Sequence, residues 1–207
     1  TFPLLEARVY YPGVAAVDGG VVIPAQMPAD QGGGYALWIS DGTVAGTRRV
    51  AENLTFAGSY PIGFVVHRGQ LLFSRDDGQV GSGLWKVDLA DGSLQLVANV
   101  DLGVTAFNPQ ALTASGDWVY FVATTGYSQN ELWRTDGTTD GTLRLGEVPE
   151  SMSGTLRVIA TPAGVAVYQL RNSGSTSPWR VMTSSGTPES TVVWSPPGAP
   201  GRAALAA

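Results

Sequence analysis

The sequence contains no cysteine and a single histidine, His67. The first absence excludes disulfides, thiolate metal centres and thiol nucleophiles together. With His67 alone, a His/Cys metal centre cannot be assembled within the chain. Ser-His-Asp chemistry would have to use that residue, and no G-x-S-x-G elbow accompanies it. Charge is also scarce, with 14% Asp, Glu, Lys and Arg against the usual quarter or so. The twelve Lys and Arg are scattered singly apart from Arg48-Arg49, and the formal net charge is −5. A nucleic-acid partner is therefore not expected. No apolar run is long enough for a membrane-spanning helix or a signal-peptide core, so no membrane span is expected. Thr1 is not an initiator methionine, and the sequence reads as a processed or excised piece of a longer product.

What remains is rich in turn formers and apolar residues: 27 Gly, 13 Pro and 43% hydrophobic among 207 residues. Val, Thr, Tyr and Trp are frequent, and no window keeps the i, i+3, i+4, i+7 spacing of a helix over several turns. The expectation is an all-β protein with a real core.

The most structured stretch is "ELWRTDGTTDGT", residues 131–142, and it has relatives within the chain. Residues 36–47, "ALWISDGTVAGT", share Leu-Trp, Asp-Gly-Thr and the second Gly-Thr. Residues 83–93, "GLWKVDLADGS", keep Leu-Trp and Asp-Gly, and residues 178–187, "PWRVMTSSGT", keep a Trp and one Gly-Thr. Trp38, Trp85, Trp133 and Trp179 stand 47, 48 and 46 residues apart. The structural motif is therefore read as Trp38, Asp41 and Thr43; Trp85 and Asp91; Trp133, Asp136 and Thr138; and Trp179.

Each period holds three further apolar segments. A short one comes first ("VAAV", "FVVH", "ALTA", "RVIA"), then a glycine-containing turn and a stronger one ("VVIPA", "LLFSR", "WVYFVA", "VAVYQL"). The last follows the Trp unit ("RRVA", "LQLVA", "LRLGE", "TVVW"). Four short antiparallel strands in roughly 45 residues describe a β-propeller blade. The innermost and second strands are expected to be the most apolar, and the Trp to fill the space between blades.

"ELWRTDGTTDGTLRL" and "ALWISDGTVAGTRRV" resemble the ELWxxDGT repeat family, and four copies carry the likeness over nearly the whole chain. The resemblance implies a propeller in an exported or surface protein of a bacterium: periplasmic, cell-surface or secreted. The blades are placed at about 8–51, 56–98, 105–147 and 154–194 of a propeller spanning 1–194. Residues 1–7 then form an extra outer strand, since "FPLLE" aligns with the fourth-strand segments, and 195–207 a Pro/Gly/Ala-rich tail. Five outer strands against four inner sets fit a closed four-bladed ring or a segment of a larger one.

Candidate sites are few. Asp41 and Asp136, with the Thr hydroxyls at 43, 47, 138 and 142, could offer oxygens to a metal or sugar. One carboxylate per loop is too few for calcium, and Asp, Gly and Thr are what a tight turn uses. Asp76 and Asp77 in "SRDDGQVGSG" lack the alternating ligands of a calcium loop. Tyr11, Tyr60 and Asn108 precede the innermost strands and are the candidate binding residues at a channel rim, though Pro12, Pro61 and Pro109 set those turns in any case. No catalytic residue, metal or cofactor is assigned. The functional expectation is a non-catalytic scaffold or binding module, whose partner is another protein or an additional chain of the same assembly. The alternatives are a glycan-binding propeller and part of an enzyme completed by another chain.

Overall fold

The computed structural model describes residues 14–27, 34–55, 63–76, 82–99, 107–125, 129–149, 156–169 and 180–194. They form four antiparallel sheets of four strands, each built from consecutive strands in sequence order. Blade one holds β1 (Ala15–Val17), β2 (Gly20–Gln26), β3 (Tyr35–Ser40) and β4 (Arg48–Leu54). Blade two holds β5 (Phe64–His67), β6 (Gln70–Asp76), β7 (Ser82–Asp88) and β8 (Leu94–Ala98). Blade three holds β9 (Asn108–Ser115), β10 (Trp118–Thr125), β11 (Gln129–Thr135) and β12 (Leu143–Glu147). Blade four holds β13 (Leu156–Thr161), β14 (Gly164–Gln169), β15 (Val181–Ser184) and β16 (Val192–Trp194). The protein is thus all-β and built of β-propeller blades, as the repeat implies.

Local chemistry explains the hairpins. Arg68 and Gly69 both take positive φ, 51° and 73°, the requirement of a two-residue turn whose twist matches its strands. Pro24 lies inside β2, where it has no N–H to give. The β1–β2 ladder ends two residues earlier, at Ala15 opposite Val22, so no described bond is lost. In blades one, two and three the pairing with the outer strand slips at the Leu-Trp step, between Leu37 and Trp38, Leu84 and Trp85, and Leu132 and Trp133, and in blade one also between Tyr35 and Leu37. A bulge there bends and twists the outer strand.

The chain divides into two compact units, Thr1–Gln110 and Ala111–Ala207. In the first, Val22 and Leu37 of blade one pack against Leu71, Phe73 and Val87 of blade two. In the second, Tyr120, Val122 and Leu132 of blade three pack against Val165, Val167 and Met182 of blade four. Burying each such aliphatic side chain contributes roughly 1.5–3 kcal/mol. The core rests on second and third strands; β1 and β5 contain no buried residue. Innermost strands are edge strands with a neighbour on one side only; β1 and β5 are short, at three and four residues, whereas β9 and β13, at eight and six, each bury two side chains.

The leucine and the tryptophan of each motif pair take opposite faces of the sheet. Successive strand residues point to opposite faces, so the Leu and Trp of each pair cannot share an interface. Leu37 faces blade two, whereas Trp38 joins Ala25 and Ala36 in a separate cluster on the other face. Trp85, one blade later, packs back against blade one. Leu37 and Leu132 therefore meet the following blade of their own unit, and Trp85 the preceding one. Trp179 lies outside the described residues. Trp38, Trp85 and Trp133 sit opposite Ile23, Phe73 and Phe121. In blade four the corresponding Val167 sits opposite Met182, which is 1% exposed and belongs to the inter-blade core.

Candidate functional site

The Asp-Gly-Thr loops concentrate most of the side-chain hydrogen bonding, and they are built alike in blades one and three. Thr43 donates from both its backbone N–H (2.8 Å) and its hydroxyl (2.7 Å) to Asp41 Oδ1. Thr138 does the same to Asp136 Oδ1, at 2.8 and 2.6 Å. The same threonine oxygens accept from Gly46 N and Gly141 N. Thr47 and Thr142 donate to the carbonyls of Thr43 and Thr138, both at 2.6 Å. Ser40 and Thr135 complete the loops by accepting from Gly42 N and Gly137 N, where φ is 90° and 93°. One carboxylate oxygen and three hydroxyls are thereby engaged inside each loop.

Gly46 and Gly141 are glycine because of space. A Cβ at either would overlap the carboxylate of Asp41 or Asp136. Blade four shows the converse. It has Ser185 in place of the aspartate and Ser190 in place of that glycine, yet the loop survives. Ser190 Oγ accepts from Thr187 N at 3.1 Å, the bond the carboxylate accepts elsewhere, and donates to Thr187 O at 2.8 Å. Gly186 N still donates to Ser184 Oγ, and Thr191 Oγ1 still donates to Thr187 O. Read by residue type, the fourth copy looks degenerate. The signal that restores it is the register of Ser185-Gly186-Thr187 on Asp-Gly-Thr, which also places Met182 on the tryptophan.

Blade two departs. Asp88 and Asp91 accept from Ala90 N and Ser93 N, both at 2.8 Å, in a different hairpin. Leu89 turns into the inter-blade core, and Arg48 of blade one donates to its carbonyl at 3.0 Å. Gly92, at φ 77°, lies so close to blade one that a Cβ would overlap the carbonyl oxygen of Val50.

Hydrogen bonds from Thr43, the hydroxyl's foremost, hold the Asp41 carboxyl below the usual carboxylate range. Ser93, through its backbone N–H first, does so for Asp91. A folded-state value below the unfolded one stabilises fully above about pH 4 and is lost as pH falls through the lowered value. Unfolding midpoints are therefore expected to drop below about pH 4. Asp41→Asn keeps an acceptor that does not titrate, so it should flatten part of that drop. An acid limb identical to the parent's would exclude Asp41 as a contributor.

Each motif indole has a charged or aromatic neighbour; Trp38 is buried, and Trp85 and Trp133 are half-buried. Trp38 is 6% exposed, with the Arg49 guanidinium 5.9 Å from its ring. Arg75 lies over Trp85 at 4.6 Å, and Trp133 stacks on Phe121 at 6.4 Å. Such cation–π and ring contacts stabilise by about 0.5–1 kcal/mol when exposed and more when desolvated. Arg134 covers Trp118 at 3.8 Å. Beside it, burial pushes the Tyr120 hydroxyl up, and the Arg134 charge draws it partly back. Gly186 of blade four closes over both, since a Cβ there would meet the Tyr120 hydroxyl at 2.8 Å.

Glu131, the first letter of the motif, is a buried carboxylate to which Arg144 donates. It shares a sheet face with Trp133, where blade one has Ala36 and blade two Gly83. The equivalent of Arg144 in blade one, Arg49, finds no acid there, lies on Trp38 and pairs with Glu52 at 3.1 Å. Strand alternation beside a Trp is the signal that could have singled out Glu131.

Asn108 is exposed at the start of β9; Tyr11, Tyr60 and Asp77 lie outside the described residues. Asp76 is exposed at the end of β6, and His67 is half-buried opposite Gln70. Among the described residues no group of three or more His, Cys, Asp or Glu could hold a metal ion, and no helix is long and apolar enough to cross a membrane.

No family model matches the chain, and no curated protein matches it. Among solved structures it resembles the β-propeller domain of the Trilobed protease from Pyrococcus furiosus, whose topology is described as open velcro. The TM-score is 0.58 at 14% identity, over 86% of this chain and 54% of that one. A puromycin hydrolase (TM-score 0.47, 17% identity, 80% of this chain and 28% of that) and an engineered GH43 glycoside hydrolase (0.46, 13%, 94% and 42%) are similar at a lower level. At these identities the likeness speaks to the propeller fold. The chain spans about half the length of the first of them.

Proposed function

We propose that the chain is a non-catalytic binding or structural module of an exported bacterial protein, engaging another protein through the propeller faces. The observation that carries this reading is the engagement of the repeated polar groups within their own loops. A carboxylate and hydroxyls bonded to the backbone that shapes the turn are poorly placed to move a proton or orient a substrate. The burial of Trp38 and the guanidinium over Trp85 weigh against the glycan alternative, since sugar stacking needs an open ring. Export and bacterial origin rest on the resemblance to the ELWxxDGT repeats.

The test is an activity screen of the purified chain on chromogenic esters, peptides and glycosides, run beside a glycan array. Turnover at buffer level and no sugar-competable array signal are expected. Turnover abolished by His67→Ala would overturn the non-catalytic reading. A glycan signal lost in Trp85→Ala would favour the lectin-like alternative.

A further inference from the structure

An aspartate followed by glycine carries its own reactive pair. The glycine amide nitrogen can attack the carboxyl carbon of the preceding side chain, because no Cβ crowds the approach. A C–N bond forms, the amide proton and the hydroxyl of the carboxylic acid leave as water, and a five-membered succinimide results. Water then opens the ring at either carbonyl. One opening restores aspartate, and the other gives isoaspartate, whose main chain runs through the side-chain carbon. Ring closure needs both groups released, since the carboxyl carbon must swing onto the nitrogen.

Five such pairs lie among the described residues: Asp18-Gly19, Asp41-Gly42, Asp91-Gly92, Asp136-Gly137 and Asp140-Gly141. The sixth in the sequence, Asp77-Gly78, lies outside them. Four of the five are locked. Gly42 N donates to Ser40 Oγ at 3.1 Å while Asp41 Oδ1 accepts twice from Thr43. Gly137 N donates to Thr135 Oγ1 at 2.9 Å while Asp136 Oδ1 accepts twice from Thr138. Gly92 N donates to Asp88 O at 2.9 Å, and Asp91 Oδ1 accepts from Ser93 N. Gly141 N donates to Thr138 Oγ1 at 3.0 Å, and the residue is packed against the Asp136 carboxylate.

Asp18-Gly19 differs in each respect. The pair is the two-residue turn between β1 and β2, with Val17 opposite Gly20, so it stands outside the ladder. Both residues are exposed, and nothing lies within 4 Å of a Cβ built on Gly19. Among the described residues no donor meets the Asp18 carboxylate and no acceptor meets Gly19 N. The equivalent turns of blades two and three hold Arg68-Gly69 and Gly116-Asp117. The first has no carboxyl to offer, and in the second the attacking nitrogen would belong to the bulky Trp118.

We propose that Asp18 is a self-modification site, converting to isoaspartate through a succinimide with Gly19 while the four locked pairs stay intact. The product lengthens the turn by one backbone carbon, so the pairing of Val17 with Gly20 is lost. β1 is three residues long and buries none of them, whereas Val22 and Leu37 remain in the core. The modification therefore loosens the innermost edge of blade one and leaves the blade standing.

Ageing the full chain at neutral pH and physiological temperature, in buffer and in urea, tests the assignment. Tryptic peptide 9–48 holds both Asp18 and Asp41. Electron-transfer fragmentation, which tells isoaspartate from aspartate, compares the two within one molecule, and other peptides report the remaining pairs. In buffer, isoaspartate should accumulate at Asp18 at least about 10-fold faster than at the other four, because their bonds must first open locally. In urea the five rates should converge. Accumulation at Asp18 in buffer no faster than at Asp41 overturns the assignment, as does an acceleration by urea equal at the two positions.

Discussion

Gly141→Ser alone is expected to lower the unfolding free energy by about 2 kcal/mol, within the range for overpacking a filled site. Adding Asp136→Ser to it should recover most of that loss. The reason lies in the two forms of one loop. Where an aspartate at the turn accepts from the threonine N–H, the position five residues on must be glycine, because the carboxylate occupies its Cβ space. Where the aspartate is serine, as at Ser185, the space opens and a second serine, Ser190, supplies the acceptor from the other side. Asp136→Ser alone removes the acceptor and should cost about 1 kcal/mol. The four proteins make a double-mutant cycle read by urea unfolding, with a coupling of at least about 1 kcal/mol expected. Additive effects would show that the two residues do not share one space.

Gly92→Ala is expected to cost about 3 kcal/mol or more, and Gly19→Ala only about 1 kcal/mol. Both glycines have φ of 77°, so the left-handed backbone penalises alanine equally at each. They differ in what the methyl meets: nothing within 4 Å at Gly19, and the Val50 carbonyl of blade one at Gly92. A backbone oxygen cannot swing aside as a side chain can. The hairpin must lift, drawing Leu89 out of the core and lengthening the bond from Arg48. The difference between the two variants in unfolding midpoint isolates the contact between blades one and two. Equal losses would mean that the hairpin and β4 are not held together.

Much of this architecture can be read from residues alone, because a period near 47 carries its own strand and turn punctuation. The segments "FVVH", "LQLVA" and "LRLGE" coincide with β5, β8 and β12. Matching by residue type fails where physics allows a substitute. Trp179 attracts the eye because tryptophan is rare, yet Met182 fills that position, a flexible side chain of adequate volume in an inter-blade core. Ser185 and Ser190 escape notice because each departs from the motif, and only together do they restore it. Glu131 reads as a surface acid until strand alternation sets it on the face of Trp133. The exposure of β16 is invisible in sequence, where Val192, Val193 and Trp194 look like one more core strand. Whether an apolar strand is covered depends on which sheet lies over it, and periodicity carries no such information.

The paired serines of blade four also constrain how such a loop changes by descent. Starting from the aspartate form, a lineage that first acquires serine at the glycine position meets a steric barrier before any benefit appears. One that first loses the aspartate forfeits a single acceptor bond and then regains it. Copies of the repeat should therefore drift through a serine–glycine intermediate, and an aspartate–serine pairing should be rare among them. The two loop chemistries are neighbouring basins with one low pass between them.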